Sequence, residues 1–366
     1  MMKKVLMIAS AASHLENFHI PYIKYLHGKG VQVYTASAGE LRSPCVFRHI
    51  SLPYRKKLYH PANIAVILRL AWLMRKERFD AVYTNSSLAG FTGRMALKLS
   101  LKRKTKAVHI CHGYLFDDDG SRHSKLYLAF EKLLRRRTDL LAVMNDDDHK
   151  IAEKYSLGRK LVFINGMGLD ALKFGCVNGS DIEELRRSMG AAEETVLFLC
   201  VGEFSPRKNQ QCIIEACSLL EKNMDYRMVF AGEGELQEKC KNLAKKLKID
   251  DKMIFLGHRK DTNLLFRSCD CLISASRFEG LPFNVMEALH CGMDIIVSNV
   301  KGNRDLAEKY GGKTFTYGNT SELAAEMQKA IKLPHGEENT EPHATPHEHF
   351  LLDAVFPENI NLLEMT

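Results

Sequence analysis

Phe278-Glu279-Gly280-Leu281-Pro282-Phe283-Asn284-Val285-Met286-Glu287-Ala288 is the stretch on which the reading of the fold turns. It follows an apolar run, Cys271-Leu272-Ile273-Ser274-Ala275, of the kind that makes a parallel strand buried on both faces. Gly280 and Pro282 then punctuate a turn, and Pro282 suits the first position of a helix, where its missing N–H costs nothing. From Phe283 to Cys291 the apolar spacing is helical. A strand, a tight turn and a helix whose first N–H groups point at the strand's carboxyl end make an anion site. Glu279 precedes that site and Glu287 lies about two turns into the helix. Carboxylates on both sides of a phosphate-binding turn suit a ligand with hydroxyls at each end of a diphosphate, as in a nucleotide-sugar. Spacing alone equally allows Glu279 to be a helix-dipole carboxylate and Glu287 a solvated helix residue.

The chain around this stretch is long enough for two domains. Its 366 residues allow two separate cores, and its apolar fraction of 45 % and charged fraction of 26 % are those of a globular protein. No run of about 18 apolar residues is present, so no membrane span is expected. Val5–Ala9 reads as a first strand, not as a signal peptide. Ten cysteines without C-x-x-C pairs, several inside apolar patterns, point to buried thiols and a reducing, cytoplasmic compartment. The charge is divided unevenly. Residues 1–170 hold 29 Lys+Arg against 14 Asp+Glu, a balance of +15, and the remainder holds 23 against 30, a balance of −7. A basic first half suggests an anionic surface or ligand.

In chain order, Lys3–Ser10 is a strand, Ala11-Ala12-Ser13-His14 a small-residue loop, Phe18–His27 a helix and Val31–Ala36 the second strand. No Gly-x-Gly-x-x-Gly follows the first strand, which disfavours a Rossmann-type oxidoreductase. His14 and His19 are candidates for a ligand-facing place, with a satisfied surface or core role as the alternative. Pro61–Arg78 reads as a helix with an apolar stripe of Ile64, Val66, Ile67, Leu70, Ala71, Leu73 and Met74. Basic residues surround that stripe, from Tyr54-Arg55-Lys56-Lys57 through Arg69, Arg75, Lys76 and Arg78, and Trp72 lies among them. Such a helix either covers the sheet or rests on anionic lipid. Arg94–Lys106 is expected to extend the basic face.

Ala107–Cys111 is a further strand, ending in His112-Gly113-Tyr114-Leu115-Phe116. Ligands gather at such carboxyl ends of open α/β sheets. Asp117-x-Asp119 and Asp146-x-Asp148 resemble metal-binding D-x-D pairs, but Asn145–Asp148 is better read as an N-cap with dipole pairing. Arg135-Arg136-Arg137 ends a helix that begins near Ser124. After a linker at Cys176–Ser180, Thr195–Val201 opens a second α/β series. Gly202-Glu203-Phe204-Ser205-Pro206-Arg207-Lys208-Asn209 follows it, with Arg207 and Lys208 placed to neutralise a diphosphate. Arg227–Ala231, Met253–Leu256 and Ile295–Ser298 are strands, the last being the final clear one; Gly232-Glu233-Gly234 and Gly257-His258-Arg259 follow the first two. Pro334–His349 is a polar linker whose histidines are not expected to bind a metal, and apolar character resumes at Phe350–Met365.

Ser276–Asp305, with Glu279 and Glu287 in an E-x7-E arrangement, resembles the signature of the retaining GT-B glycosyltransferases of family 4. Gly202–Ala216 and His109–Phe116 resemble further segments of the same family. The resemblance implies two Rossmann-like domains facing a central cleft, here 1–175 for the acceptor and 176–335 for the donor. Residues 336–366 would then be a polar linker and a helix crossing back to the first domain. It implies catalytic roles for His112, beside the transferred sugar, for Lys208, on the donor diphosphate, and for Glu279, on the sugar hydroxyls. It places Glu287 on the ribose, the base near His258 and Arg259, and Arg207, Gly280, Leu281, Pro282, Phe283, Ala12 and Ser13 around the substrates. Many relatives carry a basic residue where this chain has Glu203, so Arg207 would have to supply that charge. The implied activity moves a hexose or N-acetylhexosamine from a nucleoside-diphosphate sugar, with UDP expected, to a glycan on a polyprenyl diphosphate at the inner membrane face. No cofactor or metal and no nucleic acid are expected. A nucleotide-sugar epimerase or a phosphorylase of the same architecture stays open, as does a membrane- or nucleic-acid-binding protein using the basic half.

Overall fold

The structure is a computed structural model describing residues 3–55, 60–175, 177–332 and 349–364; the side chains of residues 171 and 172 are not described. The sequence expectations that fall on Lys56-Lys57 and on nearly all of Pro334–His349 lie outside the described residues. The chain divides into two compact units, Met1–Gly168 with Asp353–Thr366, and Leu169–Leu352.

In the first unit the strands are β1 (Lys4–Ala11), β2 (Gln32–Ala38), β3 (Arg48–Ser51), β4 (Ala81–Asn85), β5 (Lys106–Ile110), β6 (Leu140–Val143) and β7 (Lys160–Phe163). They form one sheet in the order β3-β2-β1-β4-β5-β6-β7, every neighbouring pair parallel. Val5–Ala9 of β1 and the whole of β4 are buried, because helices cover both faces of a parallel sheet. The chain direction reverses between β1 and β4, and that is where an open α/β sheet leaves room beyond its carboxyl ends.

The second unit repeats the scheme. β8 (Val196–Val201), β9 (Tyr226–Ala231), β10 (Met253–Gly257), β11 (Cys271–Ser274), β12 (Asp294–Ser298) and β13 (Lys313–Phe315) are all parallel, in the order β10-β9-β8-β11-β12-β13. Two buried cores lie on the faces of this sheet, one around Phe198, Phe230 and Met228 and the other around Leu199, Val229 and Val285. The switch point falls between β8 and β11, the strands that precede the two motif loops.

Several sequence expectations are corrected. Ala12–Ser13–His14 is not a loop: β1 passes directly into a helix, Ala12–Phe18, and a second helix covers Ile20–Gly28. Pro21, at the start of the second helix, lacks the N–H and breaks the pair at His19. β13 follows the strand read as the last, and β3 was missed. The stretch read as a linker at Cys176–Ser180 already contains the start of the helix Gly179–Ser188. Arg94 is not on a basic face. It is fully buried, donating two bonds to Glu131, at 2.9 and 2.8 Å, one to Thr138 Oγ1 and one to Gly90 O. The helix before the arginine run is Arg122–Leu134, and Arg135–Arg137 is a separate 3-10 turn.

The C-terminal helix, Leu352–Glu364, packs within the first unit. Tyr22 Oη accepts from Asn359 Nδ2 at 2.8 Å and donates to Met167 O, Tyr83 Oη donates to Leu363 O, and Phe356 stacks on Tyr22. Val355, Ile360, Leu362 and Leu363 are buried there.

The helix Pro61–Glu77 is apolar on two faces, which a single stripe did not anticipate. Val66, Leu70, Ala71, Leu73 and Met74 pack on the sheet with Leu6 and Val82. Ile64, Leu68 and Trp72 instead stand on the opposite face, 60 %, 59 % and 61 % exposed at four-residue intervals. Lys76 Nζ lies 5.1 Å from the Trp72 ring centre, and Arg69 and Arg75 are exposed beside it.

Candidate active site

In the second unit the loop after β9 rests on the loop after β8, and the loop after β12 on the turn after β11, through backbone contacts that leave no room for side chains. Gly232 has φ +147°, and a Cβ there would lie 2.1 Å from Gly202 O. A Cβ on Gly302, at φ +77°, would lie 2.4 Å from Gly280 O, so the loop after β12 rests on the turn at 279–281. These positions require glycine both for conformation and for space. The Arg277 N–H donates to Arg207 O at 2.8 Å and joins the two motif loops directly.

That joint brings three charges to one point. Arg207 Nη1 donates to Glu279 Oε1 at 2.7 Å, and Lys208 Nζ donates to the same oxygen at 2.8 Å. The Glu279 and Lys208 side chains are largely buried, while Arg207 is more open. Burial alone would push the Glu279 carboxyl up, but the Lys208 ammonium and then the Arg207 guanidinium outweigh it and hold it below the usual range. Two cations against one anion leave the cluster with a formal charge of +1 at neutral pH. Glu203, the departure noted in the sequence, is exposed, and Arg207 reaches the site in place of a cation at that position.

The helix Phe283–His290 starts beside this cluster. Its N-cap is Pro282, one residue before the first helical position expected for it, and no side chain caps it. Asn284 Nδ2 donates to Val201 O at 3.2 Å and ties the helix to the end of β8. Leu281 and Phe283 pack on the core and Pro282 is buried, so Gly280–Phe283 can offer a ligand backbone more readily than side chains. Glu287 is pushed up to about 7 by burial, with Lys173 and Lys208 opposing the shift only in part. No hydrogen-bond partner for its carboxyl is present among the described residues. His258 is exposed just past β10, and Arg259 is engaged by Asp261 through its Nε at 2.8 Å and its Nη2.

The first unit gathers histidines at the carboxyl ends of its strands. His14 comes from the helix after β1, His19 from the break before the next helix, and His112 from the residues after β5. His14 Nε2 lies 3.3 Å from His112 Nε2, and one ring nitrogen from each of the three residues lies within 4.8 Å of the others. Burial drives all three toward the neutral form, His14 to about 4 and His19 and His112 well below their ordinary value. Ala12 is buried and Ser13 is exposed on the short helix.

Sequence reasoning missed what fixes His112. Gly113 adopts φ +107°, and its carbonyl accepts from Ser87 Oγ at 3.1 Å. Asp148 is buried, and its Oδ2 accepts the Tyr114 N–H and Asn145 Nδ2, each at 2.9 Å. Asn145 Oδ1 caps the helix Asp146–Tyr155 through the Asp148 N–H, as the sequence suggested, but the cap also anchors the His112 loop. No signal in the sequence connects Asp148 to Tyr114, which lies 34 positions away.

Comparison with known proteins agrees with this fold. A family model described as glycosyltransferase family 4 matches residues 22–166, and one described as glycosyl transferases group 1 matches residues 181–345. The chain belongs to the GT-B glycosyltransferases of the family 4 type. It is 29 % identical over 338 residues to a Bacillus subtilis (strain 168) protein carrying the name glycosyltransferase EpsD, covering 91 % of this chain and 89 % of that one. It is 28 % identical over 249 residues to the Escherichia coli UDP-Gal:alpha-D-GlcNAc-diphosphoundecaprenol alpha-1,3-galactosyltransferase, covering 66 % of this chain and 63 % of that enzyme. Among solved structures, Anabaena Alr3699/HepE in complex with UDP and glucose superposes with a TM-score of 0.77 at 16 % identity, covering all of both chains. WaaG, a glycosyltransferase involved in lipopolysaccharide biosynthesis, gives 0.70 at 15 % identity, covering 96 % of this chain and 99 % of that one. This family 4-type protein is therefore an enzyme that transfers a glycosyl group.

Proposed function

We propose that the enzyme transfers a hexose or N-acetylhexosamine from a UDP-sugar, with retention, to a hydroxyl of a glycan carried on a polyprenyl diphosphate during surface-polysaccharide synthesis. The observation that carries this reading is the convergence of Arg207, Lys208 and Glu279 beside the uncapped helix Phe283–His290. When the bond between the anomeric carbon and the phosphate oxygen breaks, negative charge develops on the diphosphate. Lys208, Arg207 and the backbone at Gly280–Phe283 would stabilise it without reorganising, and such preorganisation is typically the largest catalytic contribution. The second Glu279 oxygen would orient the sugar hydroxyls, and Glu287 would accept from the ribose. The acceptor hydroxyl would attack the face from which the phosphate leaves, its oxygen bonding to the anomeric carbon while its proton passes to the departing phosphate oxygen. No carboxylate pair of the glycosidase kind is needed for that step. Nor does this leaving-group chemistry call on a metal. His112 would stand beside the transferred sugar.

UDP is favoured because the E. coli relative is named for a UDP-Gal donor and the Anabaena neighbour is described with UDP and with UDP-glucose. The lipid-linked acceptor rests on the same E. coli name and on the exposed Ile64-Leu68-Trp72 face with its flanking Arg69, Arg75 and Lys76. That face suits an anionic bilayer, where apolar side chains enter the interface and each nearby cation contributes about 1 kcal/mol. Thermal-shift titration with UDP-, GDP- and ADP-sugars tests the donor. Stabilisation by the UDP compounds, together with loss of transfer in a folded Glu279→Ala variant, is expected. Wild-type turnover in that variant would remove Glu279 from the site. Co-sedimentation with phosphatidylglycerol vesicles should be lost in Leu68→Glu, and its retention would exclude this face as the docking surface.

A further inference from the structure

We propose that His14, His19 and His112 bind one divalent transition-metal ion of the zinc class through their imidazole nitrogens, leaving a coordination position for a water or an anionic ligand oxygen. Among the described residues these three form the one group of His, Cys, Asp or Glu close enough to share an ion. Their spacing fits. Zinc–nitrogen bonds of about 2.0–2.1 Å at a tetrahedral angle place two ligand nitrogens about 3.3–3.4 Å apart. His14 Nε2 and His112 Nε2 are 3.3 Å apart. The three donor nitrogens fall within 4.8 Å, so His19 has to close in by up to about 1.5 Å to complete such a set.

Three observations favour a ligand at this point over a group of histidines that merely pack. First, His19 is buried and its Nε2 has no hydrogen-bond partner, an arrangement that costs stability unless something satisfies it. Second, the residues that deliver the rings are fixed from outside the cluster. Pro21 sets the chain break at His19, while Asp148 and Ser87 hold the loop of His112. Third, an all-nitrogen set of neutral imidazoles with no carboxylate matches zinc, cobalt, nickel or copper and not magnesium or calcium. A hydrogen bond between His14 and His112 would account for their distance but leaves His19 Nε2 unanswered. The rival for that atom is a water in the small adjoining cavity, where His19, Asn85 and Asn359 each present an unpartnered buried polar atom.

The test uses tag-free, full-length protein in which His335, His343, His347 and His349 are changed to Gln, so that the tail adds no histidines. Stripped protein is titrated with Co2+, and the visible d–d bands of low-coordinate cobalt are followed, with Zn2+ competition and metal analysis after dialysis. One equivalent per chain is expected. His19→Asn and His112→Asn should each weaken binding at least about 100-fold, since even groups that only orient a ligand cost 10- to 100-fold. Metal-free melting temperatures show whether each variant is folded. If a variant does not fold, the wild type decides: its melting temperature should rise with Zn2+ concentration toward one-site saturation. No rise, no stoichiometric uptake, or unchanged affinity in His19→Asn would overturn the assignment. That last result, with loss in His14→Asn and His112→Asn, would favour a water at His19.

Discussion

Glu287→Gln is the perturbation that most directly separates what this carboxyl costs the fold from what it gives the ligand. Its folded pKa is raised by burial to about 7, against an ordinary 4.5. Below pH 4.5 the folded and unfolded chains both hold the proton and the group is neutral in its effect. Between 4.5 and 7 the unfolded chain releases the proton while the folded chain keeps it, so stability falls as pH rises. Above 7 the full penalty is present. At 1.36 kcal/mol per pH unit the gap corresponds to about 3 kcal/mol. The side chain is only half-buried, so water screening leaves about 1–2 kcal/mol as the working expectation. For a unit of this size that is about 2–8 °C in melting temperature. The variant should therefore melt higher than the wild type at pH 8 and alike at pH 4.5, as read by calorimetry at the two pH values. In the same preparation UDP-sugar affinity should fall, because the carboxylate proposed for the ribose hydroxyls is gone. A melting-temperature gain equal at both pH values would refute the burial argument. Unchanged donor affinity would refute the ribose assignment while leaving the burial argument intact.

Removing one member of the buried pair in the first unit, by Glu131→Gln, should destabilise the protein by about 3–5 kcal/mol in urea unfolding, whereas Arg94→Met with Glu131→Leu should cost far less. The pair also predicts acid sensitivity. Burial would raise the Glu131 pKa, but Arg94 outweighs it and lowers it, so the stability it gives is complete above about pH 4.5 and lost as pH falls through the lower folded value. An acid-unfolding midpoint unmoved in the double variant would contradict this. Gly232→Ala places a Cβ 2.1 Å from Gly202 O at φ +147°, and should cost about 3 kcal/mol or more together with donor affinity.

The parallel strands were legible because burial on both faces writes an uninterrupted apolar run. β1, β8 and β11 each carry one, and those are three of the four strands that flank the two switch points. β3 and β13 escaped for the same reason inverted, since they lie at sheet edges and expose half or more of their residues. In the second unit the candidate residues could be picked out from local motifs, because Arg207, Lys208, Glu279 and Glu287 lie in two short segments after neighbouring strands. The approach of Arg207 and Lys208 to a single oxygen could not, because it depends on the backbone hydrogen bond from Arg277 to Arg207, which joins loops far apart in sequence. The exposed face of Pro61–Glu77 was hidden by composition. A helix apolar on two sides blurs the periodicity that would assign Ile64 to one side and Val66 to the other.

The same strand order thus carries two candidate sites of different electrical character, one formally positive and one neutral, and the difference follows from what surrounds each carboxyl end. In the second unit Glu279 keeps its charge against burial because two cations share one of its oxygens, and a diphosphate can take over those cations with little reorganisation. In the first unit burial strips charge from His14, His19 and His112. Neutral imidazoles cannot act there as fixed cations for the proposed acceptor diphosphate, so attraction to such an acceptor would have to come from elsewhere. The exposed Arg69, Arg75 and Lys76 are one source, acting at the lipid surface, and a metal held by the three histidines is the other. The two make different predictions for the acceptor alone. A surface source gives an acceptor KM that rises with salt and is unaffected by chelators. An ion at the histidines gives a KM that rises on chelation, is restored by Zn2+, and changes much less with salt because the charge is buried. An acceptor KM indifferent to both would exclude electrostatic capture in the first unit altogether.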